Sequence, residues 1–461
     1  MKLRIAALFI SLCMLLSGCM GLEQNTESLM RPPKLSVEQQ NIFAALSAAV
    51  GDEIVLKYPS GGEYRSAFVM YDIDSNGEDE VIAFYSTSAD SDDLRINILD
   101  KQDGEWYSIY DEGAGLASEI DSISFLPITK TNPVNIVISF EMLPLQQKTL
   151  CVYSFVDGKL VVEFESDYSS SLIQDFDGDG LDELFLLYNV EQSMAKAMIV
   201  DTLYTGGPLT VVNEVEMNKD VKEYLQFSVE PEYDDEQQTQ TDKEQQPSSY
   251  KIYIDGRTAA RGNYVTELVR LKGNTLTNLL VNEEGIYYYT DWRNVALLTQ
   301  DHNNDGVLDI PGGIKIPDWP NESEESPVTL IQWDNYYDEE FMSIGYTLVN
   351  RTFGFSFDYP ALWGNNIAVK QTEDGYEWQM YELLDQDDLL ESEEKKPLGD
   401  ELLRIRVYPN DLYFDEYSSE DYTRIGSNDE YTYYAYFPKF EEGMTNELTI
   451  SWDEFVALFH Y

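Results

Sequence analysis

One acidic loop pattern occurs three times in this 461-residue chain and strongly restricts the folds available to it. Each copy has Asp or Asn at positions 1, 3 and 5, Gly at position 6 and an acidic residue at position 9. The copies begin at Asp72, Asp175 and Asp301. This spacing brings side-chain oxygens toward one point, which suits a hard cation, and Gly permits the sharp turn. The sequence therefore predicts three calcium loops.

The predicted ligands are the side chains at positions 1, 3, 5 and 9, and position 7 would contribute only its backbone carbonyl. Because the first and third loops each replace one carboxylate with Asn, the second loop should bind calcium most tightly. The affinity is expected to be weak, about 10⁻⁴ to 10⁻³ M, as in extracellular modules, with calcium in a structural role. The ligands are Asp72, Asp74, Asn76 and Glu80; Asp175, Asp177, Asp179 and Glu183; and Asp301, Asn303, Asp305 and Asp309.

The residues around the loops decide which kind of calcium loop they form. An EF-hand loop ends in a bidentate Glu at position 12 and lies between helices. Position 12 holds Ala83, Leu186 and Gly312, and segments 81–85 and 184–188 are rich in β-forming residues, so an EF-hand is rejected. The loops resemble the FG-GAP/VCBS repeats of integrin α-like β-propellers, whose hallmark is a D-x-D-x-D-G-x-x-D loop between two strands of a blade. The resemblance implies a calcium-binding β-propeller.

The expected fold is mainly β, with a propeller of about five blades followed by a small α+β domain. Each interval between the loops would hold about two blades if a blade takes about 40 to 50 residues. The propeller is assigned to residues 36–350, and its number of blades could range from about four to seven. Within it, segment 230–249 has almost no apolar residues and is predicted to be a disordered insertion.

The first 35 residues are predicted to form a targeting and tethering segment. Lys2 and Arg4 precede an apolar stretch too short to span a bilayer, so residues 1–18 are predicted to be a signal peptide. The small residues before Cys19 resemble a bacterial lipobox. This resemblance implies a lipid anchor on Cys19, followed by a tether at 19–35; the alternative is an ordinary secretory signal with an incidental Cys. The mature chain is therefore expected to be extracytoplasmic and held at the cell membrane.

Two capping boxes mark the expected helices. Ser36 with Gln39 begins an amphipathic helix before the first blade, and Ser451 with Glu454 begins a helix close to the end of the chain. Between these, residues after 350 alternate apolar and polar side chains and predict further strands. Residues 351–461 are therefore assigned to the α+β domain.

Charge and the scarcity of histidine limit the possible functions. The chain has 85 acidic and 30 basic residues, a formal net charge of -55, which argues against nucleic acids and anionic lipids as partners. Its two histidines, His302 and His460, lie in no recognisable catalytic motif, and His302 at loop position 2 is expected to point outward. We therefore expect a surface binding or scaffolding protein with a protein or carbohydrate ligand, and no enzyme. The alternatives are a propeller hydrolase or lyase acting on polysaccharide, and a structural lipoprotein of a larger membrane complex.

Overall fold

The described residues form two compact units, the first ending at Ile120 and the second beginning at Asp121. The predicted signal peptide, Cys19 and nearly all of the tether lie outside the described residues. In the described part, no helix has the length and apolar character that crossing a membrane requires. The computed structural model describes residues 35–461 except 88–92, 131, 144–146, 191–192, 205, 234–245, 260–262, 283, 288, 290, 317–327, 385–397, 412–420 and 440–445.

The first unit packs one helix against one antiparallel sheet. Helix α1 (Val37–Val50) begins at the predicted capping box, in which Ser36 and Gln39 bond reciprocally. Its buried face, with Ile42 and Leu46, packs against apolar side chains of the sheet. Both β1 and β2 pair with the same edge of β3, which is buried throughout, and β4 and β5 follow on the other side. The strands are β1 (Val55–Lys57), β2 (Phe68–Tyr71), β3 (Glu80–Ser86), β4 (Arg95–Gln102) and β5 (Glu105–Gly113).

Three sheets of four strands follow in chain order. The division between the two units falls inside β6 (Ala117–Leu126), which is the first strand of the first of these sheets. Each sheet is an antiparallel meander in which successive strands are neighbours. The first is β6 (Ala117–Leu126), β7 (Asn135–Met142), β8 (Gln147–Val156) and β9 (Lys159–Tyr168); the second is β10 (Ser170–Gln174), β11 (Glu183–Val190), β12 (Met194–Thr202) and β13 (Leu209–Glu216); the third is β14 (Val221–Glu232), β15 (Ser249–Thr258), β16 (Tyr264–Lys272) and β17 (Thr275–Asn278).

Two five-stranded sheets and a short helix complete the second unit. Most of their buried side chains belong to one apolar cluster rich in aromatic rings. The last strand of the chain joins the first of these sheets, whereas the other sheet has the order β22-β23-β24-β26-β25. The elements are β18 (Asp309–Ile314), β19 (Val328–Tyr337), β20 (Glu340–Asn350), β21 (Phe355–Asp358) and β27 (Phe459–His460); β22 (Ile367–Gln371), β23 (Glu377–Leu383), β24 (Leu398–Pro409), β25 (Thr423–Ser427) and β26 (Tyr431–Tyr436); and helix α2 (Trp452–Leu458).

The prediction of a mainly β chain is confirmed, and so is the second capping box, in which Ser451 and Glu454 begin α2. Four-stranded antiparallel sheets in succession are typical of propeller blades. Their arrangement around an axis and the number of blades stay predictions, as do the domain limits. The limit expected after Asn350 falls within one sheet, because β20 pairs with β21.

Two segments differ from the expected secondary structure. Both ends of the expected insertion belong to strands, since Glu232 of β14 pairs with Ser249 of β15; residues 234–245 lie outside the described part. The aromatic run at 286–289 consists of residue types that favour strands, but its described residues form no strand. Within this segment, Tyr287 makes an isolated bridge to Val281. Aromatic residues favour strands, but here they pack as a loop against neighbouring sheets.

Candidate metal centre

The three acidic loops close in the same register. In each of them, the residue before position 1 pairs antiparallel with the acidic residue at position 9. The first two loops join β2 to β3 and β10 to β11, while the third is closed by an isolated bridge to the first residue of β18. The expectation of a strand on both sides therefore holds for two loops, within the residues that the structure describes. The three closing pairs are Tyr71 with Glu80, Gln174 with Glu183, and Gln300 with Asp309.

Two positions in each loop have a left-handed backbone. Position 6 is Gly in every copy, as expected, and Gly adopts this conformation without the steric penalty of a Cβ. Position 4 has the same conformation, which the sequence analysis missed; the available signal was the small set of residue types there, Ser, Gly and Asn. The φ angles are 60°, 72° and 62° at Ser75, Gly178 and Asn304, and 94°, 86° and 88° at Gly77, Gly180 and Gly306.

The carboxylate at position 1 organises the turn through backbone hydrogen bonds. Asp175 accepts bonds from the N–H groups of Gly178 and Gly180, at 2.5 and 3.0 Å. Asp72 and Asp301 accept two backbone bonds each in their own loops. The loops are therefore folded by their own side chains, and a bound cation would add to an existing turn.

The side chains at positions 3 and 5 each use one oxygen for the turn. In the second loop, Asp177 accepts from the N–H of Asp179 at 3.0 Å, and Asp179 accepts from that of Leu181 at 2.9 Å. The second oxygen of Asp179 lies 2.9 Å from the ammonium group of Lys130. Lys130 would therefore compete with a cation for this carboxylate.

The acidic residue at position 9 is buried and joins the two ends of the loop. Glu183 accepts a bond of 2.7 Å from the N–H of Phe176 at position 2. Glu80 and Asp309 make the same bond to position 2 of their loops, both at 2.9 Å. In Asp309, which is fully buried, the other oxygen Oδ1 has no hydrogen-bond partner among the described residues. A buried oxygen without a donor is an available ligand atom for a cation.

Burial raises the pKa of all three position-9 carboxyl groups, and carboxylates of the same loop add to the effect. The pKa of Glu183 is raised to about 8, that of Glu80 to about 7 and that of Asp309 to about 6. These shifts describe the loops without a cation. A divalent ion would favour the charged form of each group, so that binding would release protons.

The structure brings the expected ligands together to different extents. In the second loop, Asp175, Asp177, Asp179 and Glu183 each offer one oxygen atom, and these atoms lie within 4.8 Å of one another. In the first loop, Asp72, Asp74 and Glu80 do the same. Within the described residues, the acids of the third loop form no such group. The second loop therefore has the largest group of converging carboxylates, and its tightest binding of calcium stays a prediction.

The third loop has an acidic neighbour that sequence reasoning did not identify. Glu230 of β14 accepts a hydrogen bond of 3.0 Å from the N–H of Leu308. Glu230 also pairs with Lys251 at 2.5 Å. Its negative charge contributes to the raised pKa of Asp309. No local spacing connects residues so far apart in the chain, so only the fold could identify this contact.

Comparisons with known proteins leave the family open. No family model matches the chain, and no curated protein matches it. Among solved structures, Sqt1 of Chaetomium thermophilum, bound to the N-terminus of ribosomal protein L10, is 11% identical over 71% of each chain, with a TM-score of 0.29. A Bacillus licheniformis rhamnogalacturonan lyase is 9% identical over 71% of this chain and 72% of its own, with a TM-score of 0.27. The WD40 domain of SCAP from fission yeast is 10% identical over 71% of each chain, with a TM-score of 0.25. Similarities this low assign neither fold nor function.

Proposed function

We propose that this chain is a lipid-anchored, extracytoplasmic, calcium-binding β-propeller that acts in binding or scaffolding at the cell surface. The observation that carries the calcium assignment is the second acidic loop. Its four carboxylates offer oxygens within 4.8 Å of one another. Such an all-oxygen set is the environment that Ca²⁺ prefers, and a bound cation would offset the repulsion between the closely spaced carboxylates.

The role of calcium in this proposal is to stabilise turns at the ends of strands. Glu183 begins β11 and Asp175 follows β10, so a cation bound by both would hold these two strand ends together. Strand ends stabilised in this way would present a rigid surface to a protein or carbohydrate. The proposed activity is therefore binding, with calcium as a structural ion and no catalytic step.

Thermal and chemical unfolding of the chain from Met20 onward, with calcium, magnesium or chelator, tests the calcium assignment. With a dissociation constant of about 10⁻⁴ to 10⁻³ M, calcium at about 10 mM should raise the free energy of unfolding by about 1 to 3 kcal/mol. Magnesium should have a smaller effect, because it demands near-octahedral geometry. Equal effects of the two ions, or none, would refute the assignment.

A pair of isosteric substitutions identifies the loop responsible. Asp177→Asn and Asp179→Asn together keep the Oδ1 acceptors that fold the turn but remove two charges. We expect this double variant to fold in chelator and to lose most of the calcium effect. Asp182→Asn is the matched control, because Asp182 lies in the same loop but outside the carboxylate group. A full calcium effect in the double variant would show that the second loop is not the source of that effect.

The proposed membrane location rests on the lipobox-like segment before Cys19. In the natural bacterial host, the full-length chain should partition with membranes, and Cys19→Ser should release it or block its maturation. Mass spectrometry of the mature N-terminus would identify acyl chains on Cys19. A mature chain that begins at another residue would overturn this part of the proposal and leave the calcium assignment untouched.

A further inference from the structure

Both histidines of the chain approach the same carboxylate, that of Asp358 at the end of β21. His460 Nε2 lies 3.0 Å from Asp358 Oδ2. His302 Nε2 lies 3.8 Å from Asp358 Oδ1. The two imidazoles come from an acidic loop and from the last strand, so that only the fold brings them together.

The fold holds these side chains in place from several directions. β27 pairs with β21 in a register that puts His460 opposite Ser356, two residues from Asp358 and therefore on the same face of the sheet. The sequence predicts that His302 points outward into solvent, and this is wrong. Its ring stacks on Trp333 with ring centroids 4.3 Å apart and an interplanar angle of 8°. Trp333 is buried, so this stacking fixes the plane of the imidazole.

Asp358 is itself oriented by a short chain of hydrogen bonds. The Thr347 hydroxyl donates to Asp358 Oδ1 at 2.5 Å, and the Trp333 indole N–H donates to the Thr347 hydroxyl at 2.9 Å. Hydrogen bonds of this kind orient the carboxylates that bind metals. The two histidines meet a carboxylate whose position is already determined.

The three side chains line a cavity of about 750 Å³ that also includes Arg351 and Tyr461. The exposed fractions of the side chains are 16% for His302, 20% for Asp358 and 55% for His460. Solvent therefore reaches the polar atoms, and the cavity has room for water or another small ligand beside them. The surrounding residues keep two of the three groups largely covered.

We propose that His302, Asp358 and His460 form a binding site for a divalent transition-metal ion of the Zn²⁺ type. Neutral imidazole nitrogens with a carboxylate are ligands that such ions prefer, whereas the all-oxygen loops suit calcium. Within the described residues, the ligand atoms of the three groups do not all lie within 4.8 Å of one another. Binding of all three to one ion would therefore require the His460 ring, whose side chain is 55% exposed, to move toward His302. This site does not depend on the proposed calcium function.

Zinc titration of the chelator-treated chain by calorimetry, with calcium present in excess, tests the site. Excess calcium occupies sites made of oxygen ligands alone, so the remaining zinc signal reports on imidazole ligands. We expect binding of one zinc ion, and visible absorption bands on replacement with Co²⁺ that are typical of bound nitrogen ligands. His460→Gln and Asp358→Asn should each weaken zinc binding by at least about tenfold.

Ser356→Ala is the matched control, because Ser356 lies opposite His460 in the same cavity but supplies no imidazole or carboxylate. It should leave zinc affinity within about twofold of the original. Since His460 is half exposed, the His460→Gln chain should fold, which its unfolding curve in calcium checks. Unchanged zinc affinity in both ligand variants, or no zinc binding at millimolar concentration, would overturn the proposal while leaving the calcium assignment intact.

Discussion

The Glu183 carboxylate accepts a hydrogen bond of 2.7 Å from the backbone N–H of Phe176, and so joins the two ends of the second acidic loop. The same side chain belongs to the group of four acids that would bind calcium. Glu183 therefore has two separable roles, one in closing the turn and one in binding the ion. Substitutions that remove one role and keep the other can distinguish them.

We predict that Glu183→Gln keeps the turn and loses most of the calcium effect, because an amide oxygen still accepts the Phe176 N–H but carries no charge. Glu183→Leu leaves this N–H without an acceptor and should cost about 1 to 3 kcal/mol of stability even in chelator. Urea unfolding of both variants, with and without calcium, measures the stability in chelator and the gain in stability from calcium. If Glu183→Gln kept the whole calcium effect, the carboxylate would not be a ligand.

Gly180 should be required for its backbone conformation alone. Its φ is 86°, and nothing lies within 4 Å of an added Cβ, so Gly180→Ala should destabilise the chain by about 1 kcal/mol through strain. Ser75 has φ 60° in the first loop, and Ser75→Gly should change stability by less than about 0.5 kcal/mol, because relief of strain offsets greater freedom in the unfolded chain. Urea unfolding in chelator measures both; a neutral Gly180→Ala variant would contradict the prediction.

A buried arginine should stabilise the second unit strongly. The Arg293 guanidinium lies 2.8 Å from both Asp255 and Asp291, and its side chain is 0% exposed. Arg293→Met leaves two buried carboxylates without their cation and should cost about 3 to 5 kcal/mol, measured by urea unfolding.

Arg257, which pairs with Glu223 at the surface, is the matched control for this prediction. Arg257→Met should cost only about 0 to 1 kcal/mol, because solvent screens the exposed pair. Equal losses in the two variants would show that burial does not determine the contribution of Arg293.

Glu267 should make stability depend on pH near neutrality. It is buried, accepts a 2.9 Å hydrogen bond from the Tyr287 hydroxyl, and burial raises its pKa to about 7. Because the unfolded chain releases this proton near the ordinary pKa of 4.5, the stabilisation is complete below that pH and is lost as pH rises to about 7. The loss amounts to about 3 kcal/mol.

Glu267→Gln has no proton to release and should lack this part of the pH dependence. The difference in free energy of unfolding between the original chain and the variant should therefore change by about 3 kcal/mol between pH 4 and pH 8. Comparing the two chains cancels contributions from other titrating groups. A difference that stays constant over this range would mean that the pKa of Glu267 is not raised by folding.

The sequence by itself determined the features that arise within a few residues. The turns of the acidic loops depend on side chains that bond to backbone groups two to five positions away, so that spacing alone predicts them. The capping boxes at Ser36 and Ser451 were found for the same reason. Strands such as β3 and β11 followed from short apolar runs next to the loops.

Tertiary structure decided which distant groups meet and how deeply they are buried. Burial of Glu183 and Asp309 determines their pKa, while Glu230 reaches the third loop from another sheet. His460 reaches Asp358 because β27 pairs with β21, and His302 reaches the same carboxylate from the third acidic loop. Strand pairing between residues far apart in the chain has no local signal, since side-chain spacing specifies faces of an element but not its partners.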